Sequence, residues 1–244
     1  MCGRYASSRR PEDLVEEFEI DKVEVAEPLP PDYNVAPTKQ VYAVVQRPAD
    51  PQDGSGASER QLRSVRWGLV PFWAKDPSIG NKMINARMET VHEKPAFRRP
   101  FASRRCLLPA DGYFEWYPTE QKTKAGKPVK QPFFIHPADG GLYVMAGLYE
   151  FWKAPDASWL STCTIITTTA TDALGQIHDR MPMVVAKEAW GDWLDPGFAG
   201  DPLDLLRVPG PDLEAYAVSR AVGQVANNSP ELVLPVPDAP PPGE

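Results

Sequence analysis

Cysteine and histidine are both scarce in this 244-residue chain, with three of each. Cys2, Cys106 and Cys163 are far apart and include no C-x-x-C pair, so no metal site is expected, and their odd number argues against a disulfide framework. The strand-like surroundings of Cys106 and Cys163 suggest small buried residues. No run of 18 apolar residues exists and no charged-then-apolar leader precedes residue 20, so neither a membrane span nor a secretory signal is expected and the chain is assigned to the cytoplasm. A regular β-α-β alternation is missing as well, which disfavours a doubly wound sheet.

Proline, in contrast, is abundant at 28 residues, which favours loops and edge strands over long helices. A hydrophobic content of 42% is enough for a real core. The net charge of −7 argues against a nucleic-acid partner if taken alone. It is segregated, however: residues 11–32 hold nine acids and one lysine, while residues 82–105 hold seven basic residues and two acids. A local basic surface is compatible with an acidic whole, and so are two ordinary solvated faces.

Pro11 opens a predicted helix over 11–19, with Leu14, Val15 and Phe18 on one face. Prolines 28, 30, 31 and 37 predict an extended loop. Strands are predicted at 41–46, 62–68, 104–108, 112–117, 132–136, 142–150 and 160–168, and a short helix at 187–194. The polar, Gly/Pro-rich 48–60 segment reads as a mobile insertion. Residues 229–244 are proline-rich with three acids and no base, which predicts a disordered tail; the domain is placed at 2–235, with 236–244 as its acidic end.

Cys2 is the most informative position. A small second residue permits removal of the initiator methionine, leaving an amine and a thiol on adjacent carbons. An α-amine with a pKa of ~7.7–8.0 is partly unprotonated at neutral pH, unlike a lysine. It can form a Schiff base with an aldehyde, and the thiol can then close a thiazolidine ring. In Met83–Thr90 the alternation puts Asn85, Arg87 and Glu89 on one face of an extended segment, suited to holding a phosphate or orienting an amine, or equally to a surface Arg–Glu ladder. In Asp111–Tyr117 the same period turns Phe114 and Trp116 toward the core and groups Glu115 with Tyr113 and Tyr117. A carboxyl there suits proton transfer if its pKa is raised, or is an exposed strand residue if not. His178, in His-Asp-Arg-Met-Pro, is a candidate acid or base, or a capping histidine. Trp67, Phe72 and Trp73 lie in a loop broken by Pro71, available either for stacking on bases or for packing.

None of these motifs is specific alone. In order, however, Met1-Cys2-Gly3-Arg4-Tyr5, Tyr33-Asn34-Val35-Ala36-Pro37-Thr38, Trp67-Gly68-Leu69-Val70-Pro71, Asn85-Ala86-Arg87-Met88-Glu89-Thr90, Gly112-Tyr113-Phe114-Glu115-Trp116, His178-Asp179-Arg180-Met181-Pro182 and Val218-Ser219-Arg220 resemble the SRAP family (SOS-response-associated peptidase) from residue 2 to about 235. The resemblance implies a single α+β domain with a curved, barrel-like mixed sheet and short surrounding helices. It implies capture of abasic sites in single-stranded DNA by a monomer, with no cofactor, no membrane, and recruitment to the nucleoid on DNA damage. Carried across, Cys2 is the covalent nucleophile, Asn85 positions it or the sugar, Glu115 shuttles protons, and His178 assists ring opening. Arg4, Arg87 and Arg220 contact DNA, Asn34 lines the pocket, and the Trp67–Trp73 loop meets the strand. Autoproteolytic exposure of Cys2 and a weak lyase activity are implied too. Gly223, where relatives carry Asn, is a departure that touches only the C-terminal contacts.

Two other readings use the same residues. Glutamine amidotransferases with an N-terminal Cys nucleophile also begin Met-Cys-Gly, but their Gly-His-Thr-Arg-type stretch is missing here. A non-catalytic single-strand-binding module would use the basic 82–105 region and be indifferent to loss of Cys2.

Overall fold

The computed structural model describes residues 2–48, 58–170 and 177–237. Its strands are β1 (Tyr5–Ser7), β2 (Lys22–Glu24), β3 (Asp32–Val35), β4 (Gln40–Pro48), β5 (Ser58–Trp67), β6 (Asn85–Arg87) and β7 (Arg105–Ala110). Then come β8 (Gly112–Lys122), β9 (Pro128–Pro137), β10 (Tyr143–Lys153), β11 (Trp159–Thr169), β12 (Arg180–Pro182) and β13 (Leu213–Ala217). The α-helices are short: α1 (Pro11–Glu17), α2 (Arg98–Ser103), α3 (Trp190–Leu194) and α4 (Pro202–Leu205). No described helix is long and apolar enough to cross a membrane.

The chain closes a barrel through one parallel contact. Strands β5, β4, β7, β10 and β11 are neighbours in that order, each antiparallel to the next. Strand β11 then runs parallel beside β5, with Thr162 opposite Arg66 and Cys163 opposite Trp67, which completes a five-stranded ring. Both faces of this ring are buried. Val41, Ala43 and Val45 of β4 point inward with Leu108, Met145 and Cys163. Tyr42 and Val44 point outward onto Leu14, Phe18, Trp190 and Trp193 of the surrounding helical segments. Such strands read as continuous apolar runs rather than alternating ones, as in Val41–Val45 and Cys106–Leu108.

A second sheet, in the order β13-β9-β8-β1-β3, is antiparallel throughout and lies across one mouth of the barrel. Its inner face joins the barrel core through Tyr5, Tyr113 and Phe133. Its outer face buries Ala6, Phe114 and Phe134 beneath Val222 and Leu232. The fold is therefore the mixed α+β barrel with short helices that the resemblance implied.

Close approach requires glycine at Gly147 and Gly68, among other positions. A Cβ on Gly147 would lie 2.8 Å from both Cys106 Sγ and Leu108 Cδ1, inside the narrow ring. Gly68 has φ +124°, and its Cβ would lie 2.6 Å from the carbonyl oxygen of Gly80, so these two loops touch backbone to backbone. Gly68→Ala is expected to cost about 1–3 kcal/mol from backbone strain alone, with the steric clash in addition. A thermal melt that leaves Tm unchanged would contradict this packing.

Some local expectations need correction. The extended 28–37 loop contains strand β3, held between β1 and the C-terminal segment. The predicted helix at 187–194 is a 3₁₀ turn at Lys187–Ala189 followed by α3. Residues 229–237, predicted to be disordered, are folded: Pro230–Val233 forms a 3₁₀ turn, Leu232 is buried, and Pro235 bridges Val218. Apolar Leu232 and Val233, set among the prolines, pack on the second sheet. Of the 48–60 insertion, residues 58–60 belong to β5, and 49–57 lie outside the described residues, as do 238–244 of the tail.

Candidate active site

Cys2 lies at the barrel mouth, three residues before the start of β1, and is fully buried. Strand β1 pairs with β8, setting Tyr5 opposite Tyr113, and Phe114 N–H donates to the Arg4 carbonyl at 2.9 Å. That pairing holds the N-terminal segment against the strand carrying Glu115. On the other side β6 lies parallel to β11, with Asn85 opposite Ile165. Asn85 Nδ2 then donates to the Cys2 carbonyl oxygen at 2.8 Å. Its Oδ1 is buried and has no hydrogen-bond partner among the described residues, which leaves an acceptor beside Cys2. The walls are aromatic: Tyr5, Tyr113 and Tyr143 are all buried in the same cluster.

Glu115 is 4% exposed, so the surface-strand alternative is excluded. Burial raises its pKa to about 7, with the positive amino terminus as the main opposing influence. Its ordinary value is 4.5, so ionisation is disfavoured in the fold. The penalty grows as pH rises from about 4.5 and is complete above about 7. Glu115→Gln removes it. The variant is expected to melt higher than wild type at pH 8, by no more than about 3 kcal/mol, and to match it at pH 4. Lower stability of the variant at pH 8 would contradict the raised pKa.

His178 Nε2 lies 4.0 Å from Glu115 Oε2. Its Nδ1 accepts from Arg180 N–H at 3.0 Å and also lies 2.9 Å from Asp179 Oδ1. The first contact needs a lone pair on Nδ1 and the second needs a proton. The backbone donor is fixed, whereas the Asp179 side chain is 83% exposed. The neutral ring therefore carries its proton on Nε2, facing Glu115. Burial and the amino-terminal charge lower the His178 pKa, with Asp179 opposing them, which favours this neutral form. Burial, and then Glu115, push the Cys2 thiol well above the usual range. Cys2 thus rests as a thiol rather than a thiolate.

The sequence-derived residues separate into groups. Cys2, Asn85, Glu115 and His178 converge. Asn34 is fully buried and does not line an open pocket: its Nδ2 donates to the carbonyls of Val222, Gln224 and Asn227, and its Oδ1 accepts from Arg4 Nη1 at 2.6 Å. It fastens the C-terminal segment to Arg4, whose guanidinium also lies over the Trp116 ring. Trp67, expected to meet DNA, is a core residue instead, fully buried, with Nε1 donating to the Ile84 carbonyl. Phe72 and Trp73 remain about half exposed on the same loop. Arg87 and Arg220 are exposed.

The expected Asn85–Arg87–Glu89 face is broken, because the strand ends at Arg87 and a 3₁₀ turn follows. Glu89 turns instead to Arg180, which donates to both its oxygens at 2.6 and 3.0 Å, tying the Asn85 segment to the His178 segment. Lys130 on β9 was not found from sequence; its charge acts on both Glu115 and His178. As one surface lysine in a hairpin it carried no signal. The basic 82–105 region is partly structural: Arg105 is 3% exposed and caps carbonyls of Phe101, Ala102, Trp193 and Asp195.

Residues 1–225 match the profile of the SOS response associated peptidase (SRAP) family. This chain belongs to the SRAP family. It is 42% identical over 236 residues to the abasic site processing protein YoqW of Bacillus subtilis (strain 168), covering 96% of this chain and 99% of that protein. It is 35% identical over 246 residues to the abasic site processing protein YedK of Escherichia coli (strain K12), covering 97% of this chain and all of its relative. A crystal structure of a protein from Bacteroides thetaiotaomicron superposes with a TM-score of 0.78 at 25% identity, over 96% of this chain and 100% of that one. The SRAP match spans both sheets, and so includes every element that positions Cys2, Asn85, Glu115 and His178.

Proposed function

We propose that this SRAP protein processes abasic sites in single-stranded DNA by forming a covalent link through Cys2. The observation that carries the reading is the convergence of Asn85, Glu115 and His178 on a buried Cys2. Removal of Met1, by autoproteolysis or otherwise, frees the Cys2 α-amine. In the first step that amine attacks the aldehyde carbon of the ring-opened sugar, and a C–N bond forms. Loss of water then gives the Schiff base. In the second step the thiol adds across the C=N bond: an S–C bond forms, the nitrogen gains a proton, and a thiazolidine results. The net change is loss of one water.

The pKa order supports this sequence. The thiol is held protonated, so the amine is the first nucleophile, and the thiol must lose its proton as the ring closes. Glu115, with a pKa of about 7, suits taking a proton from one group and returning it to another near neutral pH. Asn85 holds the Cys2 carbonyl and offers Oδ1 to the amine. His178 presents Nε2–H toward Glu115 and the opening sugar. Arg4, Arg87 and Arg220 meet phosphates, and Trp73 meets bases. A Schiff base also permits β-elimination, hence a weak lyase activity. The place of action is the nucleoid.

A denaturing gel tests the reading. Wild-type protein incubated with a single strand bearing one abasic site is expected to give a shifted band, and an intact strand of the same sequence none. Equal behaviour on both strands would favour the non-catalytic binding module. No shift, together with hydrolysis of glutamine, would favour the amidotransferase.

A further inference from the structure

A second feature lies at the opposite end of the barrel from Cys2. Along β11, Trp159 precedes Ile165, the partner of Asn85, by six positions, or roughly 20 Å of strand. There the ends of β4, β5, β10 and β11 and the start of α2 surround an open cavity of about 430 Å³. Four arginines line it: Arg47, Arg63, Arg99 and Arg104. The one carboxylate in the lining, Glu150, is engaged by Arg104 at 2.8 Å. Among the described residues, Arg47, Arg63 and Arg99 form no ion pair with a carboxylate, and the buried Nε of Arg104 has no hydrogen-bond partner. In a chain of net charge −7 this is a concentrated positive site.

Aromatic rings alternate with the guanidinium groups. Trp159 is 65% exposed and Phe72 52%. Arg99 lies over the Phe72 ring at 4.8 Å and Arg47 over the Phe151 ring at 5.1 Å. Large exposed aromatics interleaved with arginines are the pattern that single-stranded nucleic acid requires, with guanidinium groups for phosphates and flat faces for bases. A purely apolar partner would leave the arginines desolvated and unpaired. Phe72 forms one wall, and its loop is fastened by Trp152 Nε1, which donates to the Ala74 carbonyl at 2.7 Å.

We infer that this arginine–aromatic groove is a second nucleic-acid subsite, which holds the unpaired strand beyond the lesion, with phosphates at Arg47 and Arg63 and a base on Trp159. The role in flanking a lesion rests on the abasic-site reading above; affinity for an undamaged strand does not.

The test measures binding of a fluorescent 20-nucleotide thymidine strand without a lesion, by anisotropy over a salt series. The double variant Arg47→Gln/Arg63→Gln is expected to bind at least tenfold more weakly, with the slope of log K against log salt reduced by about 1.4. Trp159→Ala is expected to bind about tenfold more weakly with an unchanged slope. Melting temperatures identify any variant that fails to fold, and Arg47→Lys/Arg63→Lys, which keeps the charge, is expected to retain most of the salt slope. Wild-type affinity and slope in the glutamine double variant would overturn the subsite, as would a wild-type protein that does not bind the strand at all. Adduct formation with a trimer whose central nucleotide is the abasic site, too short to reach the groove, reads the Cys2 chemistry separately. Its absence in wild type would refute the covalent reading and leave the anisotropy result to judge the groove.

Discussion

Cys2→Ala is expected to give no adduct that survives denaturation, a loss of at least about 10³-fold in yield. The chemical reason is specific. Alanine is also small, so an aminopeptidase removes Met1 from the variant as well, and protein shown by its mass to lack Met1 has its α-amine exposed. The variant can form the Schiff base but cannot close the ring. An imine hydrolyses readily, whereas the thiazolidine traps the same carbon in two new bonds. Adding sodium borohydride during the reaction should therefore rescue an adduct in Cys2→Ala by reducing the imine. Cys2 is fully buried, so the truncation leaves a small cavity, costing about 1–2 kcal/mol. A full-yield, reductant-independent adduct in Cys2→Ala would move the chemistry to another nucleophile.

The second large effect is at Glu115. Its pKa of about 7 lies within about one unit of that of an α-amine. Attack needs the amine unprotonated, while loss of the hydroxyl from the addition product needs an acid. The adduct rate in wild type is thus expected to peak near neutral pH and fall on both sides. Glu115→Gln cannot move a proton, so the rate should fall by about 10²–10⁴-fold and retain only the rising limb set by the amine. The same variant gains stability at high pH, so lost activity cannot be attributed to unfolding; stability given up for a charged group at a working site is a common exchange. A wild-type rate and profile in Glu115→Gln would remove it from the proton transfers.

How much of this was legible beforehand depended on the physics of each position. Strand positions could be read because β-branched and aromatic residues mark them, and the motif order pointed to the barrel. Closure through the parallel β5–β11 contact could not, since nothing local at Thr162 or Arg66 signals a partner almost a hundred residues away. The same non-local contacts explain Trp67 and Asn34. Both lie in loop-like, polar or Gly/Pro-rich surroundings that suggest exposure, yet distant carbonyls bury them. Glu115 shows the reverse case. Period 2 placed it correctly opposite Phe114, but whether that face was wet or dry depended on the second sheet covering the barrel mouth. The tail residues 229–237 were misread because proline content suggested disorder, while one buried leucine and one bridge were enough to dock them. The arginine–aromatic groove draws its members from four strands, a loop and a helix, and no window of sequence contains it.

The most direct test of the central claim is the intact mass of wild-type protein after incubation with a short single-stranded oligonucleotide carrying one abasic site. The expected result is one new species, equal to the protein without Met1 plus the oligonucleotide minus one water, and missing from the Cys2→Ala reaction. A protein that has lost Met1 and yet shows only its own mass would contradict covalent capture by Cys2.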